Sequence, residues 1–245
     1  MILRWLSYPR SLISIVIFPF YTSLCAIAVI LLSFTVRQRW LEDKVVYAWA
    51  QGVCWMFGVR VIVKGEENIP PGGFLYVFNH TSFFDIFAMS GYLGSFRFGA
   101  KIELFSIPFF GPAMRRAGIL PIARNRREEV YRVYSAAEKR IRAGERFALS
   151  PEGTRQNEEI LAPFKAGPFV FAINAHAPLV PVIVKGALAV WPKGKIVPNW
   201  GVWKRTITLE VLPAISTEGH SVDERPVLQN ELRRAMEPYF QGDSF

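Results

Sequence analysis

The chain is poor in the residues that usually announce a function. Its 245 residues include only two cysteines, three histidines and four aspartates. Cys25 and Cys54 both lie in apolar stretches, which argues against a disulfide framework and a thiolate metal site and for two inert buried thiols. The sequence has no Gly-x-Ser-x-Gly elbow, no Walker loop, no Gly-x-Gly-x-x-Gly and no His-Glu-x-x-His. Acyl-enzyme hydrolysis, nucleotide hydrolysis, dinucleotide chemistry and zinc proteolysis therefore lack their usual sequence support. Nor is there a Cys/His finger, an internal repeat or a basic low-complexity tail, so nucleic acid is not the expected partner of the basic charge.

Charge is also missing from one long stretch, since no charged residue occurs between Ser11 and Val36. Arg4 and Arg10 precede this run and Arg37 and Arg39 follow it. At about 1.5 Å per residue a helix over it is long enough to span a hydrocarbon core. A cleaved signal peptide would need a site such as Ala26-Ile27-Ala28, yet apolar sequence continues through Ile30, Leu31, Leu32 and Phe34. Pro19 interrupts the run, and a second apolar segment, Val45 to Val59, contains only Gln51 as a strongly polar member. Two arrangements stay open: a single crossing by the first segment, or a helical hairpin dipping into one leaflet. Flanking arginines on both sides give the positive-inside rule no asymmetry to act on.

What the chain has in excess is apolar surface together with positive charge. Hydrophobic residues make up 51% of it, mean hydropathy is +0.21 and the formal net charge is +9. That combination fits an anionic membrane surface. Beyond residue 58 the pattern becomes short β-branched or aromatic runs separated by amphipathic stretches, which is the signature of an α/β domain. Val59–Val63, Phe74–Phe78, Phe147–Leu149, Leu179–Val184 and Thr206–Val211 read as strands, and the runs ending at Lys101 and near Gly118 read as shorter ones. Val130, Val133, Tyr134, Ala137 and Ile141 recur at helical spacing over about 127–143, and another helix is expected over 223–240. The expected organisation is a membrane-anchoring helical part over 1–58 and one α/β domain over 59–245, with a mixed or largely parallel sheet flanked by helices.

Within that frame His80 and Asp85 stand five residues apart. On a continuous helix this is about 140° off-face, and on a strand it is opposite faces. The two can meet only across a turn. Asn79 ends one expected strand, and Ser82-x-x-Asp85 matches a helix-start capping pattern, so His80 is expected in a strand-to-helix turn with Asp85 in the first helical turn. Asp85 could then serve as a cap or as the partner of His80. A paired imidazole suits general-base chemistry, since the carboxylate fixes the tautomer and stabilises the imidazolium. With no protein nucleophile beside it, the base would act on a substrate hydroxyl directly. Pro151-Glu152-Gly153-Thr154-Arg155, after the strand Phe147–Leu149, predicts a tight turn with backbone N–H groups beside a guanidinium, which suits a phosphate. Lys101, Arg124, Arg126 and Arg127 lie at further strand ends or helix starts, where basic side chains would gather the same anion. His176, in a helix-to-strand turn, and His220, in a polar loop, are expected to be structural or solvated.

The order of these blocks resembles the bacterial 1-acylglycerol-3-phosphate acyltransferases and their glycerolipid acyltransferase relatives. His80 to Asp85 is similar to the first block, Gly118 with Arg124 to the second, Pro151 to Arg155 with Phe164-Lys165-x-Gly167 to the third, and Val180-Pro181-Val182 to the fourth. Lys101-x-Glu103-Leu104 with Pro108 and Gly111 also stands where such enzymes place a similar run. The resemblance covers about 70–195. It implies that His80 deprotonates a free glycerol hydroxyl, that Asp85 orients it, and that Lys101, Arg124 and Arg155 hold phosphate in a site that Glu152, Gly153 and Thr154 help to shape. It further implies an acyl-CoA or acyl carrier protein thioester as co-substrate, no metal or other cofactor, lysophosphatidic acid and membrane lipids as partners, and an inner (cytoplasmic) membrane location with the catalytic domain on the cytoplasmic side. Ser150 replaces the usual aromatic before Pro151, and Leu120-Pro121 departs from the more aromatic second block, so another lysolipid acceptor stays open. A membrane-anchored lipid-binding protein without catalysis is the alternative from another class.

Overall fold

The computed structural model describes residues 2–35 and 39–240. Val36 and the flanking Arg37 lie outside these residues. Two helices come first, α1 (Ile2–Thr35) and α2 (Trp40–Met56), followed by β1 (Val59–Lys64), β2 (Leu75–Phe78), α3 (Phe84–Tyr92) and β3 (Arg97–Lys101). The chain continues through α4 (Phe110–Arg116), β4 (Leu120–Ile122), α5 (Arg127–Arg142), β5 (Phe147–Leu149), α6 (Gly167–Ala175), β6 (Leu179–Lys185), α7 (Ala187–Val190), β7 (Arg205–Val211) and α8 (Arg225–Met236). The strands form one mixed sheet in the order β1-β7-β6-β2-β5-β3-β4. Every neighbouring pair is parallel except β6 with β7.

Helices cover both faces of this sheet, and the strands read accordingly. β2 is buried throughout, as a strand with two covered faces must be. Its Tyr76 and Phe78 enter a core shared with α2 and α3, whereas Leu75 and Val77 enter a second core shared with α5, α6 and α8. β6 divides in the same way, with Val180, Val182 and Val184 on the first side and Leu179 and Ile183 on the second. On α5 the expected apolar face turns inward: Tyr134, Ala137 and Ile141 are buried, and Val130 and Val133 pack beside them.

The N-terminal helices are docked along the domain. The α2 residues Val53 and Cys54, with Phe57 just beyond, belong to the same core as β2 and α3, so packing runs straight across the α2–β1 junction near residue 58. Gln51, the polar residue in the second apolar segment, donates to the α3 carbonyl of Gly91 at 3.0 Å. α1 is one helix with Pro9 and Pro19 inside it, although each proline removes an amide donor. It is braced on either side of Pro19: Ser14 donates to Met56 O at 2.8 Å, Tyr21 donates to Ala48 O at 3.0 Å, and Phe18 meets Phe57 and Phe87 edge-on.

One side chain ends β2 and secures the turn beyond it. Asn79 is fully buried; its Oδ1 accepts from the backbone N–H of Val184 at 2.8 Å while its Nδ2 donates to the Val184 carbonyl at 2.9 Å. These two bonds replace the strand pairing that β2 would have made with β6 had it continued. The backbone is thereby free to turn at His80. Asn79→Leu should lower unfolding stability by about 2–4 kcal/mol, because two buried backbone groups on β6 would lose their partners. Thermal unfolding of the detergent-solubilised protein measures this, and a loss below about 0.5 kcal/mol would show that β6 satisfies those groups otherwise.

Candidate active site

Parallel pairing of β2, β5, β3 and β4 brings four carboxyl-terminal strand ends to one edge of the sheet, the position where open α/β sheets bind ligands. His80 follows β2, the Pro151–Arg155 turn follows β5, Lys101 ends β3, and Arg124 lies just beyond β4. The blocks that are scattered in sequence are consecutive along this edge.

His80 Nδ1 lies 2.7 Å from Asp85 Oδ2, and the same oxygen accepts the backbone N–H groups of Thr81 at 2.8 Å and Ser82 at 2.9 Å. Asp85 is fully buried in the first turn of α3, so one carboxylate oxygen both ties down the turn that leads into the helix and fixes the imidazole. Ser82 completes the turn: its Oγ accepts from Phe84 N–H at 3.2 Å and donates to the Trp191 carbonyl at 3.0 Å. With Nδ1–H donated to the carboxylate, Nε2 is left as the basic nitrogen. The His80 side chain retains 12% exposure and lines a cavity.

The β5 turn grips the histidine turn from behind. Pro151 and Gly153 occupy the second and fourth positions of a tight turn closed by Gly153 N–H to Ser150 O at 3.2 Å, and Gly153 has φ +75°. Glu152 Oε1 accepts from His80 N–H at 3.2 Å, and Gln156 N–H donates to His80 O at 2.8 Å. At 3% exposure the Glu152 carboxyl faces the His80 backbone rather than open cavity. Burial raises Glu152 from the ordinary 4.5 to about 7, with Asp85 adding to the shift and the His80 N–H opposing it.

Three expected cations reach the cavity and two other residues of the motif do not line it. Arg155 lies 3.9 Å over the Phe83 ring; burial lowers its pKa, Asp85 opposing and Arg124 reinforcing the shift, and a guanidinium stays charged under such conditions. Lys101, at the end of β3, pairs with Glu103 at 3.3 Å and lines the cavity, as does the exposed Arg124. Gly153 and the exposed Thr154 belong to the turn itself. Arg126 pairs instead with Glu129 at 2.7 Å, and Arg127 contacts Tyr131. His176 and His220 lie outside the site, the first capping α6 with φ +52° and the second in an exposed loop.

From His80 the cavity runs about 520 Å³ into apolar surroundings built by Phe18, Cys25, Val29, Trp49, Phe98 and Met114. One end is therefore cationic and holds the base, and the other is made by α1, α2 and α4. This apolar half was not legible from sequence, because its walls come from segments far apart in the chain. No cluster of metal-ligating side chains occurs among the described residues.

Known proteins resemble this chain in sequence and in fold. Residues 60–185 match the acyltransferase family model. The human 1-acyl-sn-glycerol-3-phosphate acyltransferase alpha is 30% identical over 210 residues, covering 84% of this chain and 73% of that protein. The 1-acyl-sn-glycerol-3-phosphate acyltransferase of Pseudomonas aeruginosa is 31% identical over 196 residues, covering 77% and 72%. The crystal structure of the 1-acyl-sn-glycerophosphate (LPA) acyltransferase PlsC from Thermotoga maritima superposes with a TM-score of 0.77 at 24% identity, over 95% of this chain and 96% of that one, and so shares its fold. The chain belongs to the acyltransferase family, within the group of 1-acylglycerol-3-phosphate acyltransferases.

Proposed function

We propose that this enzyme transfers a fatty acyl group from a thioester to the free glycerol hydroxyl of lysophosphatidic acid, giving phosphatidic acid. The observation that carries the reading is the His80–Asp85 pair, 2.7 Å apart, standing between three cations and an apolar cavity of about 520 Å³. The hydroxyl oxygen attacks the thioester carbonyl carbon as Nε2 of His80 takes its proton. Collapse of the tetrahedral intermediate breaks the C–S bond, and the imidazolium returns the proton to the thiolate. Asp85 keeps Nδ1 protonated and offsets the transient positive charge. No serine or cysteine nucleophile is required.

Lys101, Arg124 and Arg155 suit the acceptor phosphate, since converging cations bind phosphate by charge-assisted hydrogen bonds. Arg155 is held with its guanidinium carbon 3.9 Å from the Phe83 ring centroid and its charge near Asp85. The apolar half of the cavity suits an acyl chain. A thioester of coenzyme A or of acyl carrier protein would supply it.

Membrane association follows from the inverted polarity of α1. Ser7, Ser11 and Ser14 face the protein and are buried, whereas Ile13, Val16, Phe20, Leu24, Leu31 and Phe34 form an exposed apolar stripe. A helix in water would turn the other way. The stretch Ile2–Phe34 is long and apolar enough to cross a membrane. Its contacts nonetheless favour an in-plane helix in one leaflet, because Arg10 near one end donates to Val202 O at 2.9 Å and Ser33 near the other accepts from Arg116 at 3.3 Å. Both ends rest on one catalytic domain, placed on the cytoplasmic side in this reading. Cysteines placed near Arg4 and Arg39 should label with an impermeant reagent from the same face of sealed vesicles; labelling from opposite faces would sink the in-plane arrangement.

The reaction is tested with purified protein, labelled acyl thioesters and a panel of lysolipids. Lysophosphatidic acid should be the best acceptor, and equal use of lysolipids whose headgroups lack a terminal phosphate would redirect the assignment. His80→Ala should lower turnover by about 10²–10⁴-fold while the protein still folds, and Asp85→Asn should be defective through the wrong tautomer. Residual activity above about a tenth of wild type in folded His80→Ala would refute the base. Arg155→Gln should cost about 10–150-fold with lysophosphatidic acid and far less with a phosphate-free analogue. Equal losses on both would move Arg155 to the donor.

Glu152 has a pH signature. Its folded pKa, about 7, lies above the ordinary 4.5, so the stability its neutral form contributes is fully present below pH 4.5 and is lost as pH rises to about 7. Glu152→Gln keeps an acceptor for His80 N–H and carries no charge to bury. Relative to wild type, the variant should therefore gain stability between pH 4.5 and 7, by at most about 3 kcal/mol. Parallel unfolding curves across that range would show that Glu152 ionises without cost.

A further inference from the structure

The connection from α7 to β7, residues 191–204, reads Trp-Pro-Lys-Gly-Lys-Ile-Val-Pro-Asn-Trp-Gly-Val-Trp-Lys. It lies in an acid-free stretch, since neither Asp nor Glu occurs from Leu161 to Leu209. Lys193, Lys195 and Lys204 are exposed. So are large apolar side chains that no core claims: Ile196 is 82% exposed, Trp200 50% and Trp203 38%.

This segment is not a free loop. Asn199 donates to Phe57 O at 2.8 Å, and Ser11 of α1 donates to Asn199 O at 3.4 Å. Trp200 packs edge-on against Tyr8, with ring centroids 4.8 Å apart, and Arg10 stacks over Trp203 at 4.8 Å. Trp5 lies next to Tyr8, and Trp55 shares the turn at Gly58 that receives Arg205 N–H. Trp5 and Trp55 are 69% and 81% exposed. Four exposed tryptophans thus gather at one corner, continuous with the apolar stripe of α1, and the connection that carries two of them also carries three exposed lysines. Indole rings beside basic side chains match the level of lipid headgroups, where a ring can be half apolar and half wet.

We propose that residues 192–204, with Trp5 and Trp55, form an interfacial anchor that seats on an anionic bilayer surface and sets the depth of the His80 turn. The link to the turn is short. Trp191 Nε1 donates to Lys195 O at 2.7 Å, and the Trp191 carbonyl accepts from Ser82 Oγ at 3.0 Å, two residues from His80. A loop fixed at headgroup level would therefore hold the base where an acceptor phosphate lies. This inference rests on the membrane reading above and adds a contact outside the first two helices.

The test uses the full chain reconstituted in phosphatidylcholine vesicles with about a third phosphatidylglycerol and brominated acyl chains, comparing wild type with Trp200→Phe/Trp203→Phe. Wild-type tryptophan emission should be quenched, and the variant should lose part of the quenchable emission. If wild type is quenched and the variant loses only unquenched emission, the anchor is wrong and the membrane reading stands. If wild type is not quenched at all, both fail. A second variant, Lys193→Ser/Lys195→Ser/Ile196→Ser, changes only exposed side chains. It should weaken the phosphatidylglycerol dependence of turnover on a vesicle-embedded acceptor, by about fivefold per lysine removed, with micellar short-chain activity unchanged. Equal losses in both formats would mark a structural role and overturn the proposal. So would protection of the loop that tracks protein concentration rather than lipid, which would identify a second copy of the chain as the occupant.

Discussion

Parallel pairing of β2 with β5, β5 with β3 and β3 with β4 obliges four strands to end on the same edge of the sheet. Each strand delivers one element of the site to that edge: a base, a guanidinium turn, a lysine and a second arginine. Had any one of these strands run antiparallel, its functional residue would stand at the opposite end of the domain. Helices on both faces are what make the central parallel strands stable, because β2, β5 and β6 are covered on both sides.

The site then depends on a small buried polar framework. Asn79 closes β2 against β6, Asp85 takes three donors on one oxygen, and Glu152 holds the amide of His80. Buried carboxyl groups are costly unless their oxygens are engaged. In each of the two, one oxygen is engaged and the other, Asp85 Oδ1 or Glu152 Oε2, has no partner among the described residues; burial lifts the Glu152 carboxyl to about 7. The framework leaves His80 little freedom, which suits the general-base role proposed for it.

Around this centre the usual polarity of a soluble domain is reversed on one side. α1 turns serines toward the protein and Phe20, Leu24 and Phe34 away from it, and the same helix provides Phe18, Cys25 and Val29 to the cavity wall. One helix thus separates an apolar cavity from an apolar exterior.

How much could be read beforehand differs by residue. The strands β1, β2, β5, β6 and β7, the α5 stripe and the His80–Asp85 turn follow from local periodicity and from the impossibility of that spacing on a regular element. The corner before α4 does not, because Phe109 holds φ +60° where no glycine announces a turn. Glu152 belongs to a motif that suggests phosphate, but only the packing of β5 beside β2 reveals that its carboxyl points at the His80 backbone. Likewise Trp191 and Asn79 gain their roles from partners more than a hundred positions away in the chain. By itself the sequence determined the chemical inventory, because a histidine, a carboxylate five residues on and a set of cations are identities that no folding can change. Only the tertiary structure decided which of those groups face a common cavity, how deep that cavity runs, and that both ends of α1 rest on one domain. Those outcomes depend on contacts between distant segments, and no local pattern encodes their distances.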